Sequence, residues 1–164
     1  MTQSTTVTHS VRPIPEGYHS VTPALLVRGG AQAIDFYTRA FGARELGRMP
    51  APDGQRIWHA ELQIGDARLM LADEFPDMGG HAPESLGGTP VCLHLYVEDA
   101  DATVQRAVDA GATVIQPLMD AFWGDRYGRI KDPFGHEWSV ATHIEDVPEE
   151  EMRRRAEAFA TSAG

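Results

Sequence analysis

The sequence predicts an α+β fold of two βαβββ modules whose mixed β-sheets are cupped. Two observations carry this. The segments Thr22 to Ala72 and Val91 to Ala141 run through the same order: a short apolar strand, an amphipathic helix ending at Phe41-Gly42-Ala43 or Ala110-Gly111-Ala112, then three strands. The copies are also in step, because Gly42 and Gly111 lie 69 residues apart, as do Met70 and Ser139 in the last strand of each. A repeat of this length with helix and strand inside it marks two copies of one supersecondary unit. One unit cannot close its own sheet, so the two are expected to share a concavity and to carry function there.

Residues 1–20 have no period and contain Pro13, Pro15 and Gly17, which reads as an arm. A strand over 22–28 opens the first module. Gly29-Gly30 leads a helix over 31–41 with Ile34, Tyr37 and Phe41 on one face, stopped by Gly42 in the left-handed conformation. Strands follow near 43–49, 56–64 and 67–72, the last two joined by Gly65-Asp66, a two-residue hairpin signal. The Gly- and Pro-rich span 73–90 reads as a loop between modules. The second module has a strand at 91–97 and a helix near 100–110 capped by Asp99, then strands at 112–117, 125–131 and 137–143. These limits give an arm (1–20), one domain (21–147, with modules at about 21–72 and 91–143) and a C-terminal helix and tail (148–164). In that helix Glu149, Glu150 and Glu151 precede Arg153, Arg154 and Arg155 at i,i+4 spacing, and Met152, Ala156 and Phe159 form an apolar stripe.

Composition narrows the function classes. A net charge of −10 without a basic cluster beyond the three arginines argues against nucleic acid. A single cysteine suits a reducing compartment, the first residues are polar, and no run of 18 apolar residues occurs. A cytoplasmic protein without a membrane partner is the expectation.

Strand parity then sorts the side chains. The Gly65-Asp66 turn pairs Ile64 with Ala67, Gln63 with Arg68, Leu62 with Leu69 and Glu61 with Met70, and opposed residues share a face. Ala60, Leu62, Ile64, Ala67, Leu69 and Leu71 are therefore assigned to the helices, and His59, Glu61, Gln63, Arg68, Met70 and Ala72 to the cup. Trp58 has helix-side parity. In the second module Val91, Leu93, Leu95 and Val97 face the helices, and Cys92, His94 and Tyr96 the cup. Asp132-Pro133-Phe134-Gly135 fits a turn with a Gly bulge; one bulged residue aligns Ile130 with Trp138 and puts Tyr127, Arg129, Lys131, Glu137 and Ser139 in the cup. Phe122 and Trp123 lie in a loop at its mouth. His136 is placed outward or on the helix side, and His9, His19, His81 and His143 are read as ordinary surface histidines.

Ala33-Ile-Asp-Phe-Tyr37 with Phe41-Gly42-Ala43, Ile64-Gly-Asp66, Val97-Glu-Asp99 and Asp132-Pro-Phe-Gly135 resemble the vicinal oxygen chelate superfamily, which includes glyoxalase I, bleomycin-resistance proteins and extradiol dioxygenases. Gly17-Tyr-His-Ser-Val-Thr-Pro23 and Trp123-Gly-Asp-Arg-Tyr-Gly128 are similar to its PhnB-like branch. The resemblance implies the glyoxalase/bleomycin-resistance fold and a homodimer. It also implies metal ligands, where a metal is used, on the first and last strand of each module. Those positions here are Thr22, Met70, Cys92 and Ser139, a poor set for a hard divalent ion.

The expected function is thus small-molecule binding without the usual metal centre or any other cofactor. The residues assigned to the ligand are His59, Glu61, Gln63, Arg68, Met70, Cys92, His94, Tyr96, Trp123, Tyr127, Arg129 and Ser139. The alternative is a lyase, isomerase or dioxygenase. In one form zinc or iron is held by His59, Glu61, His94 and Glu137. In the other, Glu61, Glu137 or His94 acts as acid or base and Arg68 or Arg129 stabilises an enolate. Cys92 lacks a base within direct reach, since His94 lies two residues along the strand, and reads as a cup-lining thiol. A third reading leaves the cup vestigial and gives the C-terminal helix a subunit contact.

Overall fold

The computed structural model describes residues 10–164. The elements are β1 (Ala24–Val27), α1 (Gly30–Phe41), β2 (Arg44–Pro50), β3 (Ile57–Ile64), β4 (Ala67–Asp73), a 3-10 turn (Pro76–Met78), α2 (Pro83–Leu86), β5 (Cys92–Tyr96), α3 (Ala100–Asp109), β6 (Thr113–Asp120), β7 (Asp125–Lys131), β8 (Glu137–His143) and α4 (Glu149–Ser162). Each module is βαβββ, and each sheet has four strands, in the orders β1-β4-β3-β2 and β5-β8-β7-β6. The β1–β4 and β5–β8 pairs are parallel and the rest antiparallel, so both sheets are mixed.

Local chemistry sets the element ends. Gly42 adopts φ 67° and its amide N–H bonds Thr38, closing α1. Asp99 caps α3 by accepting from Ala102 N at 2.9 Å. Both hairpins keep the register read from their turns. Gln63 faces Arg68 and Glu61 faces Met70, while Ile130 faces Trp138 and Lys131 faces Glu137. Leu62, Ile64, Leu69 and Leu71 are buried, as are Ile130, Trp138 and Val140, whereas Ala67 and Val91, assigned to the same side, are exposed, because Ala67 borders the hairpin turn and Val91 precedes β5.

These inner faces of both sheets meet in one core with α1 between them. Phe41 and Tyr37 of α1 pack on Trp138 of β8 at 4.7 and 5.5 Å, and α1 also packs on α3. This corrects the expectation of a concavity shared within the chain. Each sheet spends one face on the common core, so its other face points away from that core. The apolar faces are the ones that need covering, and helix-to-helix packing covers both at once.

Other expectations are adjusted. The span 73–90 contains two short helical turns and is pinned by Glu74, which accepts from Ala82 N at 2.7 Å and from the Ser85 hydroxyl, and pairs with Arg28 at 2.5 Å. Trp58 is not on the helix side. The β2–β3 register slips between Met49 and Pro50, leaving Trp58 as the extra residue of a bulge; Ile57 is buried instead, and Trp58 is 41% exposed against Phe75. In α4 the ion pairs are Arg153–Glu149, Arg154–Glu151 and Arg155–Glu151; Glu150 has no ion pair among the described residues, because Arg154 reaches back three residues. Arg155 also reaches Glu145, and Phe159 rests on Phe122 at 5.3 Å, which fixes α4 to its own chain. The reading of residues 1–9, His9 included, lies outside the described residues.

Candidate functional site

The first sheet presents His59, Glu61, Gln63, Arg68 and Met70 on its concave face, the alternate positions to the buried ones on β3 and β4. His59 Nε2 lies 3.5 Å from Glu61 Oε1. Gln63 turns back to the hairpin and donates to the Gly65 carbonyl at 2.8 Å, so its amide serves the turn more than the cup. The arm is brought onto this face. Tyr18 sits beneath the Arg68 guanidinium, 5.0 Å from ring centroid to Arg68 Cζ. The Tyr18 hydroxyl is buried without a hydrogen-bond partner, as is Arg68 Nε. A cavity of about 500 Å3 lies here, with Thr22, Glu61 and Met70 in its lining.

The second sheet arranges its concave residues in rows across three strands. Cys92, Glu137 and Lys131 form one row; His94, Ser139 and Arg129 the next; Tyr96, Ala141 and Tyr127 the third. His94 Nδ1 and Ser139 Oγ are 2.6 Å apart, and Arg129 binds Glu137 at 2.5 Å. Glu137 is thereby committed to a cation, which weakens its candidacy as a free base. The rings of His94 and Tyr96 meet edge to face at 4.6 Å, and those of Trp123 and Tyr127 at 5.1 Å.

Parity alone did not single out Asp125, which organises the end of this face. It is 3% exposed and accepts from Tyr96 Oη and Trp123 Nε1, each at 3.1 Å; His143 Nδ1 lies 2.8 Å from its other oxygen. Burial pushes its carboxyl up, but the hydrogen bonds from His143, Tyr96 and Trp123 outweigh this and hold it below the usual range. His143 is therefore more than a surface histidine. Asp146 first and Asp125 second raise its pKa above 6.5. A raised folded pKa means that the stabilising contribution is fully present below the unfolded value and is lost as pH rises through the folded one. The ring of His143 is expected to titrate above 6.5 by NMR, and to move down in an Asp146→Asn variant; a midpoint at or below 6.5 in the native chain would refute the assignment. Tyr18 is the second residue missed. The signal for both lay in the motifs Gly17-Tyr18-His19 and Trp123-Gly124-Asp125.

The fold brings the candidates together within each sheet and separates them between sheets. His59, Glu61, Thr22 and Met70 belong to one concave face, and His94, Glu137, Cys92 and Ser139 to the other, with the core between them. Among the described residues no three His, Cys, Asp or Glu side chains lie close enough to hold a metal ion. Cys92 is exposed, with its Sγ 3.9 Å from the Leu93 carbonyl oxygen. His136, by contrast, bonds the Leu26 carbonyl at 2.8 Å across the two modules. No helix among the described residues is long and apolar enough to cross a membrane.

Known proteins place this geometry. The chain is 52% identical over 137 residues to the uncharacterized protein Rv0887c of Mycobacterium tuberculosis, covering 82% of this chain and 80% of that one. It is similar to the X-ray structure of the At5g48480 gene product of Arabidopsis thaliana, with a TM-score of 0.61 and 29% identity over 76% of this chain and 98% of that one. The PhnB protein of Bacillus cereus shares the fold at 16% identity, with a TM-score of 0.56 over 76% and 99% of the two chains. A model of the Glyoxalase/Bleomycin resistance protein/Dioxygenase superfamily matches residues 19–140, from the arm into the last strand of the second module. With all of the first module and the second as far as Val140 inside that match, the chain belongs to the glyoxalase/bleomycin resistance protein/dioxygenase superfamily.

Proposed function

We propose that this chain is a small-molecule-binding protein of the glyoxalase/bleomycin-resistance type that works without the superfamily's usual metal centre. The observation that carries the reading is the donor set. Thr22, Met70, Cys92 and Ser139 stand where the resemblance places metal ligands, and they offer at best one thiolate. A catalytic divalent ion needs about three protein donors and an open position. What the two concave faces offer instead is lining for an organic ligand: Glu61, Arg68 and Met70 on one, and His94, Tyr96, Tyr127, Arg129 and Ser139 on the other.

The outward direction of both faces supports a homodimer, in which each half-cup is completed by the opposite half of a second copy. The same proposal places the protein in the cytoplasm. A second reading rests on the His94–Ser139 bond and on Glu61, which are the polar groups an acid–base enzyme of this fold would use. Catalysis in that case would run through a proton next to a carbonyl.

Native mass spectrometry of the purified chain reads metal content and assembly together. The expected result is a dimer mass with far less than one transition metal per chain, unchanged after incubation with zinc or nickel. A stoichiometric ion lost on changing His59, Glu61, His94 or Glu137 would overturn the metal-free reading and favour the enzyme. A monomer at micromolar concentration would overturn the composite cup.

A further inference from the structure

We propose that residues Pro13 to Thr22 are a hinged lid over the first sheet, partly covering an open-sided chamber for a small, mostly apolar molecule that carries a hydrogen-bond donor. This deepens the ligand-cup reading and rests on it. The chamber, about 500 Å3, has a volume in the range of small-molecule sites. Its roof is Pro13, Ile14, Pro15 and Tyr18, Glu61 and Met70 lie in its floor, and the polar His19, Ser20 and Thr22 complete the lining. Three apolar roof residues and a thioether suit an apolar body. The Glu61 carboxylate, an acceptor, suits a ligand N–H or O–H.

The lid is folded by its own bonds. Tyr18 N donates to the Pro15 carbonyl at 3.1 Å around Gly17, whose φ is 82°, and the Thr22 hydroxyl donates to the His19 carbonyl at 3.3 Å. Among the described residues no hydrogen bond joins residues 10–22 to the sheet; the first is Met70 N to the Pro23 carbonyl at 2.9 Å. Pro23 is therefore the hinge. The latch is the stacking of Arg68 on the Tyr18 ring. Closure leaves the Tyr18 hydroxyl and Arg68 Nε buried without partners, and opening returns both to water. A seat latched by this stacking contact, without a hydrogen bond to the sheet among the described residues and opposed by two unpaired polar groups, is poised to lift.

Chymotrypsin cleaves after Tyr18, so cleavage at Tyr18–His19, read by mass spectrometry on the full chain, reports lid opening. Arg68→Ala removes the latch. Gly17→Val acts from the arm, outside the core: its Cβ would fall 2.4 Å from Arg68 Nη2, and φ 82° is strained for valine. Both variants are expected to be cut about tenfold faster than the native chain. N-phenyl-1-naphthylamine, an apolar probe with one N–H, is expected to slow native cleavage about tenfold and to gain fluorescence. Equal cleavage in all three proteins would overturn the lid, and cleavage that the probe does not slow would overturn the chamber. Cleavage without probe involves neither ligand nor metal, so the lid fails separately from the metal-free reading; native mass spectra of the same samples separate it from the dimer, and faster cleavage that appears only with loss of the dimer mass would overturn the lid. Should Arg68→Ala lose its fold, Gly17→Val decides the question alone.

Discussion

Asp132→Ala is expected to cost about 3–5 kcal/mol of stability, the range for breaking a buried charged network by removing one partner. Asp132 is 3% exposed and gathers four donors. Oδ1 accepts from Phe134 N at 2.9 Å and His136 N at 3.0 Å, which shapes the β7–β8 turn. Oδ2 accepts from Tyr37 Oη at 2.5 Å and Trp138 Nε1 at 2.9 Å, which ties the first module's helix to the second module's sheet. Truncation leaves all four unpaired, and the donors of Tyr37, Phe134 and Trp138 are buried away from water. The corresponding fall in melting temperature is roughly 10–15 °C for a chain of this size. Tyr37→Phe deletes one donor only and is expected to cost about 1–2 kcal/mol. Urea unfolding of both variants checks the pair, and a loss below about 1 kcal/mol for Asp132→Ala would show that the network is dispensable. His143 should titrate as in the native chain, because Asp132 lies on the core side.

Asp73→Ala is expected to cost about 2–4 kcal/mol for a related reason. Helix α1 has no side-chain cap of its own; its leading Gly29 sits at φ 93°. The unmet N–H groups at its start are served from β4. Asp73 Oδ1 accepts from Gly29 N at 2.8 Å and Gly30 N at 2.9 Å, and Oδ2 accepts from Ile57 N at 2.7 Å. A buried carboxylate at a helix N-terminus is also favoured by the helix dipole. Gly30 makes the approach possible, since a Cβ there would fall 2.7 Å from Asp73 Oδ2 and 2.8 Å from Ile57 Cγ1. Gly30→Ala should therefore destabilise in the same direction. Hydrogen exchange of the Gly29, Gly30 and Ile57 amides gives the local readout, with protection lost in Asp73→Ala before the rest of the sheet. Unchanged protection would remove Asp73 from this role.

Both hairpin registers were legible in the sequence because turn chemistry and two-residue alternation are local properties. Gly65-Asp66 fixed Glu61 opposite Met70, and the Gly135 bulge fixed Ile130 opposite Trp138. Those two registers put His59, Glu61, Arg68 and Met70 on one concave face and Tyr127, Arg129, Glu137 and Ser139 on the other. The repeat, the helix ends at Gly42 and Asp99, and the split between core and concave residues rested on the same short-range signals. Trp58 escaped this logic because its bulge depends on how β2 pairs with β3, which β3 alone does not encode. Asp73 and Asp132 read as turn or loop residues, since their donors come from up to 95 residues away. Tyr18 lay in an arm without periodicity and gained its place only from contact with Arg68. The mutual placement of the modules was the largest matter left to the tertiary structure. Each module offers one apolar face, and that pattern is the same whether the sheets meet side by side or the helices pack between them. Packing of Tyr37 and Phe41 on Trp138, closed by the Tyr37–Asp132 bond, chose the second arrangement and turned the two concave faces away from the common core.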